Sequence, residues 1–202
     1  MSYAENFVQF YESELGRRAF DREAQYIEEY VEAGDRVLDV GAGVGSLERR
    51  FDSYDVVGLD TSASMLETAR ERADAPFVRG DARRLPFATD SFDVTCAIAT
   101  LEFVPDVDHA LEEIRRVTTP GGWVVVEVMN TESEYVQANL ELDGSYFQQM
   151  VHRDSPELAS RIADPLEETT QEYFLGIGDD ELFETDDSRQ AAVLAVSGRV
   201  PR

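Results

Sequence analysis

The sequence predicts an α/β domain with a mostly parallel sheet and helices on both of its faces. Short apolar runs alternate with amphipathic segments along most of the chain, which is the pattern of strands joined by crossover helices. The first apolar run leads directly into a glycine-rich turn, as expected where a strand is followed by a helix. The length of 202 residues fits one domain with a core that needs no disulfide.

The apolar runs predict seven strands, and the amphipathic segments between them predict helices. Strands are expected at residues 36–40, 55–59, 77–78, 92–98, 123–129, 172–177 and 191–196. Helices are expected at residues 19–33, 47–51, 62–72, 107–117 and 135–151, and a further one that begins at Ser155. Residues 120–122, Pro-Gly-Gly, are expected to form a turn, and residues 178–189 an acidic connector with little pattern.

The segment at residues 37–45, VLDVGAGVG, predicts a ligand site between a strand and a helix. Gly41, Gly43 and Gly45 allow backbone conformations that other residues avoid, and they let a ligand approach the backbone closely. The N-terminus of the following helix offers unpaired N–H groups to an acceptor group of the ligand. A glycine-rich turn without a ligand is the simpler alternative, but the strand–turn–helix context favours a nucleotide-type site.

The spacing of the glycines argues against a dinucleotide site. A G-x-G-x-x-G fingerprint needs a glycine at position 46, which is Ser46. Asp60 ends the second predicted strand, 60 − 41 = 19 residues after Gly41, where an acid can accept hydrogen bonds from both hydroxyls of a ribose. Capping of the helix that begins near Ser62 is the other role open to Asp60.

Two more motifs follow in order. Residues 79–93 contain RGDA, LPF and DSFD, and residues 101–122 contain LEFVPD, ALEEIRRV and PGG. Together with the glycine turn and Asp60, they resemble the class I S-adenosylmethionine (SAM)-dependent methyltransferases, in the branch (methyltransferase type 11) that includes the ubiquinone and menaquinone biosynthesis enzymes. The resemblance covers about residues 8 to 129. It implies a Rossmann-like, doubly wound domain whose mostly parallel, seven-stranded sheet has an antiparallel last strand.

The resemblance also implies a single SAM-dependent methyltransferase domain over residues 1–202. Its expected parts are a helical cap at 1–34, a SAM-binding core at 35–129, a helical insertion on the substrate side at 130–170 and the last two strands at 171–202. The family's glycine–phenylalanine entry into its sixth strand is absent, and Gly176 and Gly178 flank Ile177 instead. The pairing of the last two strands is therefore open.

The resemblance implies which residues bind the cofactor. The expected set is Tyr11, Asp39, Gly41, Ala42, Gly43, Gly45, Asp60, Thr61, Met65, Asp81, Ala82, Ala97 and Ile98. In this family the glycine turn lines the methionine end of SAM and the acid before it, here Asp39, holds the amino group. The acid that ends the second strand, here Asp60, binds the ribose, with Thr61 beside it.

The other members of this set have narrower implied roles. Asp81 and Ala82 read the edge of the adenine, while Ala97 and Ile98 approach the methionine portion from the fourth strand. Tyr11 reaches the SAM carboxylate from the N-terminal helix. Met65 either covers one face of the adenine or belongs to the core face of its own helix, and its helical spacing fits both roles.

The function implied by the resemblance is transfer of a methyl group from SAM to an O, N or C atom of a small molecule, with S-adenosylhomocysteine as product. A protein that binds SAM or S-adenosylhomocysteine without catalysis is an alternative, and an NAD-linked oxidoreductase is a less favoured one. No residue is assigned as catalytic. Glu102 is the candidate base by position, because many relatives carry histidine at this point, whereas His109 and His152 lie elsewhere.

The acceptor is expected to meet the N-terminal helix and residues 130–170. Tyr135, Tyr146, Phe147 and Met150 are candidates to line an apolar pocket there, with ordinary core packing as the alternative. His109 is expected at the surface, and no metal site is expected.

The charge of the chain is strongly negative. There are 42 acidic residues against 18 basic ones, all arginine, which gives a formal net charge of -24. Because molar salt shortens the screening length to about 3 Å and weakens this repulsion, we expect a halophilic protein. The acidic surroundings of the arginine pairs disfavour nucleic-acid binding. No apolar run suits membrane insertion, no leader segment is recognised, and the one cysteine, Cys96, fits a reducing cytoplasm.

Overall fold

A computed structural model describes residues 3–178 and 181–202 of the chain. The first two residues of the expected cap and residues 179–180 of the expected connector lie outside the described residues. The helices are α1 (Tyr3–Glu12), α2 (Glu14–Glu28), α3 (Ser46–Arg50), α4 (Ala63–Arg72), α5 (Val107–Val117), α6 (Glu134–Glu141) and α7 (Ser155–Ala163). The strands are β1 (Arg36–Val40), β2 (Asp55–Asp60), β3 (Phe77–Arg79), β4 (Phe92–Ile98), β5 (Thr118–Met129), β6 (Glu167–Gly178), β7 (Glu181–Phe183) and β8 (Ala191–Arg199). Short 3₁₀ turns occupy Leu101–Phe103 and Tyr146–Gln149.

The strands form one sheet in the order β3-β2-β1-β4-β5-β8-β6-β7. Strands β1 to β5 pair in parallel, and β8 runs antiparallel between β5 and β6. The predicted α/β fold with a mostly parallel sheet and an antiparallel last strand is therefore confirmed. The pairing of the last two predicted strands, which the sequence left open, is also defined. β8 lies between β5 and β6 and is buried along nearly its whole length.

The predicted count of seven strands is wrong, because the described residues form eight. The additional strand, β7, has three residues and pairs antiparallel with the end of β6, where Phe183 lies opposite Gly176. Gly176 leaves no side chain beneath the Phe183 ring, and a Cβ there would collide with that ring. A three-residue strand in an acidic segment is too short to produce an alternating apolar pattern in the sequence.

Helices cover both faces of the sheet, as predicted, and each face has its own core. On one face, Ile114 of α5 and Ile162 of α7 pack against strand side chains such as Val126. On the other face, Ile27 of α2 and Leu47 of α3 do the same. The polar ends of the strands emerge between these two layers.

Two local expectations differ from the structure. Residues 120–122 lie inside β5 as an irregularity rather than in a turn before it, because Gly121 and Gly122 exchange backbone hydrogen bonds with Val200, which is distant in sequence. The single helix expected at 135–151 is divided into α6 and a 3₁₀ turn, since Gly144 between them has a φ of 78°.

The N-terminal helices are fixed to the core by identifiable contacts. The Ser13 hydroxyl accepts a hydrogen bond from the Gly16 N–H at 3.0 Å, so α2 begins at Glu14, earlier than predicted. The Arg72 guanidinium of α4 pairs with Glu12 of α1 at 2.8 Å, and only 12% of the Arg72 side chain is exposed. This pair holds α1 across the carboxyl ends of the parallel strands.

Candidate functional site

The glycine turn after β1 is held against the end of β2 by its own backbone. The N–H groups of Gly41 and Ala42 both donate to the carbonyl of Leu59, at 2.7 and 2.9 Å. Gly41 has a φ of 92° and Gly43 a φ of 53°, and an added Cβ at Gly41 would collide with the Thr100 side chain. Only glycine therefore fits at position 41 without strain. We call residues 41–45 the glycine loop.

Asp60, at the end of β2, organises this loop. One carboxylate oxygen accepts from the Gly43 N–H at 2.9 Å, and the other accepts from the Ser62 N–H at 2.8 Å. Helix capping near Ser62 instead uses the Ser62 hydroxyl, which accepts from the Met65 N–H. Each carboxylate oxygen keeps a free lone pair, so Asp60 can still accept from a hydroxyl pair of a ligand.

Asp81 is bound by a residue that the sequence analysis did not single out. The Arg83 guanidinium donates to both carboxylate oxygens of Asp81, at 3.0 and 2.6 Å, and this contact lowers the pKa of Asp81. Ala82 is buried beside the pair. The two-residue separation of an acid and an arginine is the only sequence signal of this contact, and it does not by itself predict a bond.

Most of the expected cofactor residues line one cavity of about 780 Å³. From the expected set, its wall includes Tyr11, Asp39, Gly41, Ala42, Gly43, Asp60, Thr61, Met65, Asp81, Ala82 and Ile98. Gly45 and Ala97 do not lie on this wall. Gly45 packs against α4, where an added Cβ would come within 3.0 Å of Ala69. Ala97 is buried in the core on the face of the sheet that α5 and α7 cover.

The cavity extends beyond the glycine loop toward β5, β6 and β8. We call the part lined by the glycine loop, Asp60 and Asp81 the loop end, and the part lined by Glu23, Met129, Tyr135 and Leu175 the β5 end. The two parts are continuous. A ligand that fills the loop end therefore leaves room for a second molecule at the β5 end.

Aromatic side chains form much of the rest of the wall. They are Phe7, Phe10, Phe20, Phe103, Tyr146 and Phe147. Phe7 contacts Tyr146 edge-on at 5.2 Å, and Phe103 stacks on Tyr146 at 4.4 Å, so α1 and the second 3₁₀ turn meet across the cavity. Of the four residues expected to line an apolar pocket, Met150 alone is buried away from the wall.

Met65 belongs to a buried cluster, as its core alternative predicts, and its contact with the adenine stays a prediction. It is buried in a small cluster with Val44, against which Phe7, Val8 and Tyr11 of α1 pack, and it also lines the cavity. The helical spacing of Phe7 and Tyr11 in α1 was the signal that could have identified this contact in the sequence.

Acidic side chains are buried beneath the cavity. Asp39 of β1 and Glu48 of α3 are 4% and 2% exposed. Burial and the charge of Asp60 raise the pKa of Asp39, and burial with the charges of Asp39 and Asp60 raises the pKa of Glu48. Burial, with the charges of Glu23 and Asp39, also raises the pKa of the Tyr11 hydroxyl. The Ser46 hydroxyl is buried at the wall of the loop end and has no hydrogen-bond partner among the described residues.

Two further buried acids belong to the β5 end. Glu23 of α2 lines the cavity and is 8% exposed, and Glu127 of β5 is 1% exposed beneath it. Burial raises the pKa of Glu23, helped by the charge of Glu102, and burial beside Glu23 raises the pKa of Glu127. Neither residue could be recognised as functional in the sequence, because the strand and the helix that carry them are identified there by their apolar residues.

The candidate bases do not lie at the cavity wall. Glu102 is 1% exposed, and its carboxylate accepts from the Met129 N–H at 2.9 Å. Burial outweighs this hydrogen bond and raises the pKa of Glu102 to about 7. A ring nitrogen of His152 lies 2.9 Å from the Val104 carbonyl, and His109 is exposed beside Asp106 as predicted. The hydrogen bonds of Glu102 and His152 therefore join segments of the fold to one another and do not point into the cavity.

Two classes of feature are absent from the described part of the chain. Residues 3–178 and 181–202 contain no group of three histidine, cysteine or acidic side chains arranged to hold a metal ion. Their helices include none with the length and apolar character required to cross a bilayer.

Comparison with known proteins connects this site to methyltransferases. The family described as "Methyltransferase domain" matches residues 38–126. A demethylmenaquinone methyltransferase of Beutenbergia cavernae is 46% identical over 101 residues, which are 48% of this chain and 42% of that protein. Another, from Paenarthrobacter aurescens, is 35% identical over 136 residues, 66% of this chain and 51% of that protein. The chain thus spans about half the length of the curated relatives it matches.

A solved structure shares the fold over nearly the whole chain. It is a SAM-dependent methyltransferase of Thermotoga maritima, described as a possible histamine N-methyltransferase, with a TM-score of 0.81 and 22% identity. The likeness covers 98% of this chain and 95% of that one. At this identity the comparison shows the fold and leaves the acceptor of our chain undefined.

Proposed function

We propose that this chain, whose residues 38–126 match the family described as "Methyltransferase domain", is a class I SAM-dependent methyltransferase that transfers a methyl group from SAM to a small-molecule acceptor. S-adenosylhomocysteine is then the second product. The observation that carries the proposal is the continuity of one cavity, which joins the loop end to the β5 end. This continuity supports catalysis over simple cofactor binding, because it provides space for cofactor and acceptor together.

The residues of the loop end fit SAM. Gly41 and Gly43 present bare backbone to the cavity, and the Ser46 hydroxyl is a buried polar group without a partner. In our proposal Asp60 binds the ribose hydroxyls with its free lone pairs, and Asp39 binds the amino group of the methionine portion. A cationic amino group favours the ionised form of Asp39, which burial alone disfavours.

The remaining expected residues have supporting roles in this proposal. Asp81 accepts from the adenine while Arg83 orients its carboxylate, and Ala82 packs beside the ring. Thr61, Met65, Ile98 and Tyr11 complete the wall. Gly45 and Ala97 do not contact SAM in this proposal. Gly45 lets the glycine loop pack closely on α4, and Ala97 packs in the core beneath β4.

The chemistry places simple demands on the protein. SAM supplies a methyl group activated by its sulfonium charge. The chain's own residues contribute by holding the acceptor in line with that group and by excluding water. The Phe7, Tyr146 and Phe103 rings, which contact one another at the cavity wall, supply apolar surface for this purpose.

We further propose that residues 1–202 act as one domain with the four expected parts. α1 and α2 supply the cap, and their Tyr11 and Glu23 reach the cavity. α6 and the second 3₁₀ turn supply the substrate side. The last part begins slightly earlier than the sequence suggested, because β6 starts at Glu167.

Calorimetric titration tests the proposed function. SAM, S-adenosylhomocysteine and NAD are titrated into the protein in molar KCl, and the same titrations are made with Asp60→Ala. We expect SAM and S-adenosylhomocysteine to bind, and Asp60→Ala to weaken both by at least about tenfold, because it removes charge-assisted hydrogen bonds. The matched control is Asp55→Ala at the opposite end of β2, where the side chain makes an exposed ion pair at 3.6 Å with Arg36.

The outcomes separate the alternatives. Binding of NAD in place of SAM would support an oxidoreductase, and a folded protein that binds neither would contradict the proposal. Tight binding of SAM with no turnover over a broad set of acceptors would favour the non-catalytic alternative.

We also propose a cytoplasm of high ionic strength as the working environment, with no nucleic-acid partner. The support is the net charge of -24, the absence of lysine and the exposure of most acidic residues. Thermal unfolding at rising KCl concentration tests this, and we expect the midpoint to rise toward molar salt. A midpoint that falls steadily as KCl is added would contradict it.

A further inference from the structure

The Glu23 carboxylate is buried at the wall of the β5 end and lacks a partner. It is 8% exposed, and among the described residues no hydrogen bond or ion pair reaches it. An unpaired buried carboxyl is costly, because it loses the hydrogen bonds that water would provide. Such a group at a cavity wall is explained when a ligand supplies the missing partner.

The groups around Glu23 make this end of the cavity rich in buried acidic side chains. Glu102 follows β4, Glu127 lies in β5, and both carboxylate oxygens of Glu127 are buried without hydrogen-bond partners among the described residues. Tyr11 of α1 and Tyr135 of α6 face Glu23 from the other sides. The neighbouring cation, Arg22, lies over the Phe174 ring and pairs with Glu184. Its charge partly offsets the raised pKa of Glu127, and no ion pair joins it to Glu23.

Aromatic rings complete the surroundings. Phe20 lies one turn before Glu23 on α2, and the rings of Tyr11 and Phe20 contact each other at 5.3 Å. Tyr135 and Phe147 line the same cavity and contact at 6.2 Å. Aromatic faces attract cations, and they also supply apolar surface for the body of an organic ligand.

A cationic amine satisfies all of these features. An ammonium group carries the opposite charge and has up to three N–H donors for a carboxylate that lacks any. An anion would be repelled by any of Glu23, Glu102 and Glu127 that ionises. A neutral hydroxyl would satisfy one lone pair but would bring no positive charge to favour the ionised carboxylate.

We propose that the methyl acceptor is a small aromatic or apolar amine, and that Glu23 binds its ammonium group and then accepts the proton it must lose. The inference rests on the proposed function and narrows it to methylation of nitrogen. The balance is simple. The ammonium gives one proton to the Glu23 carboxylate, the freed nitrogen lone pair forms the N–CH₃ bond, and the methyl–sulfur bond electrons remain on sulfur.

The position of Glu23 separates it from Asp60, the expected ribose-binding residue. Its neighbours Glu102, Glu127 and Tyr135 belong to the carboxyl ends of β4 and β5 and to α6, whereas Asp60 ends β2. β2 and β5 are three strand spacings apart in the sheet, about 14 Å. Glu23 therefore faces the molecule at the β5 end.

Binding of matched probes to the complex with S-adenosylhomocysteine tests the inference. The probes are 2-phenylethylamine, its neutral counterpart 2-phenylethanol and the anion 3-phenylpropionate, followed by other aromatic amine and alcohol pairs. Titration in molar KCl is expected to show amines bound at least about tenfold more tightly than their alcohols. Titration in buffers of different ionisation enthalpy is expected to show proton release on amine binding, because an ammonium group ionises the protonated Glu23.

The variant Glu23→Gln keeps the shape of the side chain and removes its charge. We expect it to lose the preference for amines and the proton release, and to bind S-adenosylhomocysteine within about twofold of the original protein. Glu29→Gln is the matched control, because Glu29 is exposed one turn and a half further along the chain. Thermal unfolding checks that both variants fold.

Three results would overturn the inference while leaving the proposed function intact. They are equal binding of amines and alcohols in the original protein, an amine preference that survives in Glu23→Gln, and a loss of S-adenosylhomocysteine affinity in Glu23→Gln equal to any loss for amines. Failure of the original protein to bind S-adenosylhomocysteine would instead overturn the proposed function, and the inference with it.

Discussion

Asp60 and Asp81 at the loop end differ from the buried acids of the β5 end in the partners that the chain gives them. At the loop end, Asp60 accepts from two backbone N–H groups and Asp81 is bound by Arg83. At the β5 end, Glu23 and Glu127 are buried without such partners among the described residues. At the loop end the chain itself orients Asp60 and Asp81, beside the buried Asp39 and Glu48, whereas at the β5 end we propose that a ligand supplies the partner of Glu23.

The two ends therefore differ in how they affect the free energies of binding and of unfolding. Paired carboxylates at the loop end fix the glycine loop before any ligand binds, so little conformational entropy is lost on binding. Unpaired acids at the β5 end lower the stability of the empty protein, as is common where a site is adapted to binding. The predictions below test both halves of this comparison.

The largest expected effect is that of Gly41→Ala at the loop end. Alanine at a φ of 92° is strained, and its Cβ would collide with Thr100, whose hydroxyl donates to the Ile98 carbonyl at 2.8 Å. We expect a loss of about 3 kcal/mol in the free energy of unfolding and at least about a hundredfold loss of SAM affinity. Urea unfolding and calorimetric titration measure the two quantities.

A second glycine provides the control for the backbone strain alone. Gly34 has a φ of 98°, and an added Cβ there meets nothing within 4 Å. Gly34→Ala is expected to cost about 1 kcal/mol and to leave SAM affinity unchanged. Unaltered SAM binding by Gly41→Ala would show that the loop end is not preorganised in the way described here.

An intermediate effect is expected for Glu102→Gln, which tests the cost of buried acids near the β5 end. Glu102 has a pKa of about 7 when folded, raised from 4.5 by burial, so the folded state binds a proton that the unfolded state releases between these values. Stability therefore falls as pH rises from 4.5 to 7, and the variant lacks this contribution. Between pH 4.5 and pH 7, the free energy of unfolding of the variant should therefore gain about 3 kcal/mol relative to that of the original protein.

The measurement is urea unfolding at fixed KCl concentration across this pH range. Glu112→Gln is the control, because Glu112 is an exposed residue of α5. A pH profile of Glu102→Gln parallel to that of the original protein would show that burial of this acid carries no such cost.

The fold could be predicted where the sequence has a strong local pattern. The apolar runs of β1, β2 and β4 and the proline after Ser155 lie close to their expected positions. β7 and the irregularity in β5 could not be predicted, since β7 is too short to show a period and Gly121 is held by Val200, nearly eighty residues away. Patterns in sequence report neighbours along the chain, and these features depend on neighbours in space.

The candidate site divides in the same way. The loop end was predictable because its glycines and the acid Asp60 occur at fixed spacings within one strand–turn–helix unit. The β5 end was not, because Glu23 and Glu127 are about a hundred residues apart and become neighbours only when α2 packs on the sheet. For Glu102, position in the sequence did not predict the role of the side chain. Its carboxylate accepts a hydrogen bond from the Met129 N–H and does not line the cavity.

The smallest expected effect is that of His152→Ala, which asks whether any imidazole belongs to the β5 end. Nε2 of His152 lies 2.9 Å from the Val104 carbonyl, so in the tautomer with the proton on Nε2 the ring donates to the scaffold. Loss of this hydrogen bond is expected to cost about 1 kcal/mol of stability and to leave both SAM affinity and turnover within about twofold. His109→Ala, which removes the exposed ring beside Asp106, is the matched control and should change neither quantity. A tenfold fall in turnover for His152→Ala alone, at unchanged SAM affinity, would place the His152 imidazole in the reaction, and Glu23 would no longer be the sole proton acceptor at this end.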